Sequence, residues 1–141
     1  LILELLKKNS KLTTKQISKK TAIPITTVHN RIKKMEKEGI IEGYTIKINY
    51  KKLGKPILAF TMINVSYTLP DGKKITQEEI SRLINKLGGI EEGYLVTGEA
   101  DVIVKIRLSN IDELNDFVFK RLRTIPGVIK SQTMVVLSKF K

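Results

Sequence analysis

Between Pro24 and Gly39 the apolar residues Val28, Ile32 and Met35 recur at i, i+4 and i+7, which aligns them on one stripe of a helix. The other faces carry Thr27, His29, Asn30, Arg31, Lys33, Lys34 and Lys37, short hydrogen-bonding groups first and cations after them. Gly39 is free to take positive φ and ends the helix. Such a helix suits insertion into a nucleic-acid groove, and it equally suits an ordinary solvated surface. The neighbouring sequence has to choose between the two.

The residues before it supply two more helices. Ile2, Leu5 and Leu6 share a face in the first, which Asn9-Ser10-Lys11 interrupts. Leu1 already falls inside this pattern, so native residues are expected ahead of it. Thr13-Thr14-Lys15-Gln16 reads as a capping box opening the second helix, with Ile17 inward and Lys15, Lys19 and Lys20 outward. That helix ends near Thr21-Ala22, and Ile23-Pro24 forms a tight break, because proline disfavours helical geometry in the residue before it. Three short helices with a brief turn before the last predict a helix-turn-helix, whose second helix enters the major groove.

Charge supports that reading. The 141 residues hold 26 Lys+Arg and 14 Asp+Glu, a net charge of +12. Residues 1–52 contain 13 Lys/Arg against 4 Asp/Glu, whereas residues 53–141 contain 13 against 10. The excess is concentrated in the head, as an anionic partner such as nucleic acid requires. No apolar run reaches the roughly 18 residues of a membrane span. The chain has no cysteine and one histidine, which excludes disulfides and thiolate metal sites and leaves little for imidazole catalysis. No signal peptide is recognisable, so a cytoplasmic location is expected. The sequon Asn64-Val65-Ser66 is then a chance match, and the Lys- and Ile-rich composition fits a thermophile.

Gly43 to Tyr50 alternates polar and apolar residues and predicts a strand that links the head to the body at a defined spacing, with pairing between chains as one way to hold it. The expected organisation is a helix-turn-helix domain over 1–43, a strand linker over 44–54 and a second domain over 55–141. In the body, Ile57–Tyr67 is β-rich. Thr76-Gln77-Glu78-Glu79 caps a helix with Ile80, Leu83, Ile84 and Leu87 on its buried stripe. Strands follow over Ile90–Thr97 and Val102–Leu108, then a helix carrying Leu114, Phe117, Val118, Leu122 and Ile125, and a last strand over Val128–Leu137. The order β-α-β-β-α-β predicts a ferredoxin-like antiparallel sheet with both helices on one face. The whole is an α+β protein with a winged-helix-like head. Leu58, Phe60 and Met62 alternate with Ala59, Thr61, Ile63 and Val65, so the second sheet face is also apolar and needs a cover. A two-fold homodimer through that face would present two heads to a pseudo-palindromic duplex site.

The segment Ile17–Thr45 resembles the DNA-binding region of the Lrp/AsnC (leucine-responsive/asparagine-synthase regulator) family. The matching features are Thr27-Val28, Arg31-Ile32, Lys33-Lys34, Glu36, Glu38-Gly39-Ile40-Ile41 and Gly43-Tyr44. The family usually has Ser at the position of Pro24; proline offers no side-chain acceptor, and the cap is expected to shift to Thr26. Chemistry and resemblance together nominate Thr26, Thr27, His29 and Asn30 for base edges, with Arg31 reading guanine or clamping a phosphate. Lys33, Lys34, Lys37, Lys15 and the hydroxyls of Thr13 and Thr14 are expected on phosphates.

The body resembles the same family's effector-binding domain through Gly93-Tyr94, Val96–Asp101, Pro126-Gly127-Val128 and Val135–Ser138. The resemblance implies a small amino-acid effector near Thr97, Gly98, Glu99 and Asp101, often between subunits of a higher oligomer such as an octamer. Backbone N–H groups at Gly98 suit a carboxylate and Asp101 suits an ammonium. The same residues also suit a hairpin turn in which Asp101 is only a cap. A sequence-specific transcription regulator is the expected function, with a nucleoid protein of little sequence preference as the alternative. No cofactor, metal or membrane is implied. An enzyme is not expected, since Glu91, Glu92, Glu99 and Asp101 form the body's only acidic cluster and no phosphate-cradling glycine loop is present.

Overall fold

A computed structural model describes residues 1–141 and divides them into two units, Leu1–Ile48 and Asn49–Lys141. The first unit is built from α1 (Ile2–Lys8), α2 (Thr14–Thr21) and α3 (Ile25–Lys37). Their apolar stripes meet in a small core of Ile2, Leu6, Ile17, Val28 and Ile32, flanked by Leu5, Leu12, Ile23, Met35 and Ile41. The capping box at α2 is formed in full. Thr13 Oγ1 accepts from Gln16 N at 3.1 Å, and Gln16 Oε1 accepts from Thr13 N at 2.9 Å. Ala22 closes α2 in the left-handed region at φ 59°, and this reversal sets the direction of α3.

Two local expectations need correction here. Helix α3 begins at Ile25 with Pro24 as its cap residue, and no side chain caps it, so Thr26 is inside the helix. The Pro24 carbonyl already accepts from Val28 N at 3.0 Å, which closes the first turn without any hydroxyl. Residues 43–49 form no strand. An alternating sequence needs a neighbouring backbone to make a ladder, and this chain offers the segment none. Tyr44 Oη donates to Glu36 Oε1 at 3.1 Å and so ties the segment back to α3.

The second unit is a four-stranded antiparallel sheet in the order β2-β3-β1-β4, with β1 Ile57–Val65, β2 Ile90–Leu95, β3 Val102–Leu108 and β4 Val128–Val135. Helix α4 (Gln77–Asn85) joins β1 to β2, and α5 (Ile111–Asn115) starts the connection from β3 to β4. This is the expected βαββαβ plan. Ala59, Ile63, Val65, Val102, Val104, Ile106 and Leu108 face Ile80, Ile84, Phe117 and Leu122 in one core. Thr61 is fully buried among them, its Oγ1 2.9 Å from Thr133 Oγ1.

The second helical connection differs from the single α-helix expected. After α5 the chain continues as a π-helical turn over Asp116–Arg121 and a 3-10 turn over Leu122–Thr124. Phe117 and Leu122, both fully buried, would lie about 140° apart on an α-helix. Widening the turn to i→i+5 bonding brings them to one side. At Gly127, φ is 92° and an added Cβ would stand 2.9 Å from the Ser66 carbonyl oxygen, so a side chain is excluded where β4 begins. The opposite sheet face is only half-buried at Leu58, Phe60, Met62 and Ile103.

Candidate nucleic-acid interface and effector turn

On α3 each residue advances about 100° around the axis. Val28 and Ile32 point into the head core, so Thr26, Asn30, Lys33 and Lys37 line the opposite face, each about one turn from the next. All four are exposed, and none of the four side chains has a hydrogen-bond or ion-pair partner within the chain. His29 flanks this face on one side and Thr27 and Lys34 on the other. Lys34 reaches Glu38 at 4.0 Å with both side chains largely in water, which leaves its charge available.

Arg31 lies apart from that face. It is exposed, and with Lys34, Met35 and Glu38 it borders a groove against Leu1, Ile2 and Leu3 of the first helix. At the start of α3 the amides of Ile25, Thr26 and Thr27 have no intrahelical acceptor. They make the leading end of α3 rich in donors and suited to a phosphate, with the cations following in the second half of the helix. On α2, Lys15 is exposed and Thr14 half-buried. The Thr13 hydroxyl oxygen is occupied by Gln16, which leaves its proton free to donate.

In the body, Thr97, Gly98 and Glu99 are exposed in the turn between β2 and β3, with Gly98 at φ 106°. The turn is pinned on its strand side. Asp101 Oδ2 accepts from Val65 N at 2.9 Å, Asp101 N donates to the Ile63 carbonyl at 3.0 Å, and Asn64 Nδ2 donates to the Glu99 carbonyl. One carboxylate oxygen of Asp101 is therefore committed to the backbone of β1.

A second polar cluster escaped the sequence reading. Glu91 sits at a bulge in β2, between Ile90 paired with Ile106 and Glu92 paired with Lys105. The extra residue sends its carboxylate to Arg107 Nε at 2.9 Å, Lys105 Nζ at 3.8 Å and Tyr50 Oη at 3.3 Å. The Arg107 guanidinium lies 4.1 Å from the centre of the Tyr50 ring. Partial burial pushes the Glu91 carboxyl up, but the hydrogen bond and charge of Arg107, the charge of Lys105 and the Tyr50 hydroxyl outweigh it and hold the group below its ordinary value. No sequence spacing announces this cluster, because its members come from the segment before β1 and from two strands. The acidic residues expected as a cluster are thus divided between separate tasks.

A basic three-helix head with an uncommitted outward helix face, followed by a ferredoxin-like body, defines a DNA-binding regulator with a ligand-binding domain. Residues 1–42 match the winged helix-turn-helix DNA-binding family model, and residues 59–141 match the Lrp/AsnC ligand binding domain. The chain belongs to the Lrp/AsnC family. It is 44% identical over 135 residues to an uncharacterized HTH-type transcriptional regulator of Pyrococcus furiosus, covering 96% of this chain and 87% of that one. Among solved structures, LrpC of B. subtilis superposes with a TM-score of 0.83 at 28% identity, covering 99% of this chain and 92% of that chain. The transcriptional regulator NMB0573 of Neisseria meningitidis, solved as an L-Met complex, superposes at 0.87 with 22% identity over 99% of this chain and 88% of that one, a likeness of fold.

Proposed function

We propose that this chain is the protomer of a homo-oligomeric, sequence-specific transcription regulator whose DNA binding responds to a small amino acid. The observation that carries the proposal is the face of Thr26, Asn30, Lys33 and Lys37, polar at its leading end, cationic behind, and without partners inside the chain. Asn30 suits the bidentate edge of adenine and the Thr26 methyl suits thymine, while Lys33, Lys37 and Lys34 suit flanking phosphates. His29 and Thr27 flank the base-reading face, Lys15 and the Thr13 and Thr14 hydroxyls suit the backbone at the start of α2, and Arg31 suits a phosphate at the groove's edge.

Two features favour assembly. The half-buried apolar sheet face at Leu58, Phe60 and Met62 fits a second copy, and the unpaired alternating segment 43–49 fits strand pairing with its own counterpart. A two-fold arrangement gives two heads and a pseudo-palindromic site. For the effector, the ligand-binding family model and the L-Met complex of the Neisseria regulator favour a small amino acid. The exposed turn Thr97-Gly98-Glu99, with the second oxygen of Asp101, is one seat for it.

Selection of bound fragments from random DNA, with and without a pool of amino acids, tests the reading. A consensus with two-fold symmetry, bound more than ~10³ times tighter than random duplex, is expected, and amino acids should change its enrichment. A ratio within about tenfold would favour the sequence-tolerant nucleoid function instead.

A further inference from the structure

The linker that joins the two units is fastened at each end and free between. On the head side, Tyr44 Oη donates to Glu36 Oε1 at 3.1 Å, and the Thr45 carbonyl accepts from Ser10 Oγ at 3.5 Å. On the body side the fastened residue is Tyr50, one position after the second unit begins. Between these points Ile46 and Ile48 are 75% and 42% exposed, and residues 46–48 take part in no hydrogen bond within the chain.

Tyr50 is held by its hydroxyl, its ring and its backbone. The hydroxyl donates to Glu91 Oε1 at 3.3 Å, the ring centre lies 4.1 Å from the Arg107 guanidinium, and the carbonyl accepts from Lys55 N at 2.8 Å. Arg107 Nε donates to Glu91 Oε2 at 2.9 Å, so phenol, guanidinium and carboxylate brace one another. In the register of β3 against β1, Arg107 stands opposite Leu58 and Lys105 opposite Phe60, and directly opposed residues of an antiparallel pair share a face. The clamp therefore sits on the same sheet face as those apolar residues. Tyr50 is no member of the body core, so what the clamp holds in place is the root of the linker.

Where the linker is rooted decides how far a head can reach. An extended chain covers at most about 3.4 Å per residue, so Tyr44 to Tyr50 reaches about 20 Å, and Tyr44 to Ile57, where β1 begins, would reach about 45 Å. A short tether excludes pairs of sites whose separation it cannot match, and a long one tolerates them. We propose that Tyr50, clamped by Arg107 and Glu91, is a positioning residue that sets which separation of two DNA half-sites the protein accepts. The proposal rests on the reading of the chain as the protomer of a two-headed DNA-binding regulator. Asn30 and its neighbours then choose the bases within a half-site, and Tyr50 chooses the distance between half-sites.

Binding isotherms of the full chain test this, on duplexes carrying the selected half-site once, or twice at separations varied in single base-pair steps over one helical turn. The wild-type chain should favour one separation over more distant ones by about tenfold or more. Tyr50→Ala should reduce that preference to about threefold or less while leaving affinity for the single half-site unchanged. Tyr50→Phe keeps the ring against Arg107 and loses only the hydroxyl, so its preference should fall between the two, and it decides the matter if Tyr50→Ala does not fold. Two glycines inserted between Lys47 and Ile48 leave the clamp intact and should also broaden the preference. A preference broadened by the insertion but by neither Tyr50 variant would overturn Tyr50 as the anchor, and so would an equal loss of affinity for single and paired half-sites. A preference that none of the three changes would overturn control by the linker, leaving the two-headed reading intact. A wild-type chain indifferent to separation would overturn both.

Discussion

Asp101 Oδ2 accepts a hydrogen bond from the Val65 amide at 2.9 Å, where the register of β1 against β4 shifts. The bond occupies a backbone donor that the bulge removes from the ladder. Asp101→Ala should therefore destabilise the body by about 1–3 kcal/mol, the cost of an orphaned donor, whereas Asp101→Asn keeps an acceptor and should lose less. Urea denaturation measures both. An Asp101→Ala chain as stable as wild type would mean that water replaces the carboxylate at no cost. Any loss of effector response in that variant has to be compared with Asp101→Asn before it is read as lost ligand contact.

Asn30 and Lys37 share the outward face of α3 but should fail differently on DNA. Asn30→Ala should cost about 1–3 kcal/mol at a selected site and flatten the base preference at one position per half-site. Lys37→Ala should weaken all sequences alike and reduce the slope of log affinity against log salt by about one for each head bound. Arg31→Ala should resemble Lys37→Ala, given its place beside the first helix. Binding isotherms at several salt concentrations separate the patterns, and unchanged specificity in Asn30→Ala would remove it from base reading.

Ala22 holds a left-handed conformation, φ 59°, between α2 and α3. A Cβ is unfavourable there and glycine is not. Ala22→Gly should stabilise the head by about 0.5–1 kcal/mol, seen as a higher denaturation midpoint with the DNA footprint unchanged.

Glu91 is held below its ordinary carboxylate range by Arg107, Lys105 and Tyr50 despite partial burial. Its ionised form therefore favours the folded state. That contribution is complete above the unfolded value, about 4.3, and is lost as pH falls through the lower folded value. Glu91→Gln should flatten the decline in stability below about pH 4.3 and change little at pH 7 beyond the loss of the ion pair. Denaturation midpoints followed from pH 7 to pH 3 decide it; an unaltered acid limb would exclude Glu91 from that role.

Much of this molecule was legible in its sequence because the signals are local. The stripe of Val28, Ile32 and Met35, the Thr13–Gln16 capping box and the alternation through β1 and β3 each depend on neighbours a few residues away, and each fixed an element and its buried side. The head's charge fixed the kind of partner. What failed was also systematic. The alternation of residues 43–50 predicts a strand, but a ladder needs a second backbone, and one chain does not provide it.

Distance in sequence decided the rest. Asp101 meets Val65, and Glu91 meets Tyr50, Lys105 and Arg107, only because the strand order and two bulges bring them together. The π turn after α5 reconciles Phe117 and Leu122 with one core, which helical periodicity alone could not foresee. The sequence by itself determined the elements, their buried faces and the basic head, since those follow from short-range periodicity and charge. Only the tertiary structure decided which polar groups are already spent on the fold and which remain free for a ligand, since that depends on contacts between residues far apart in the chain.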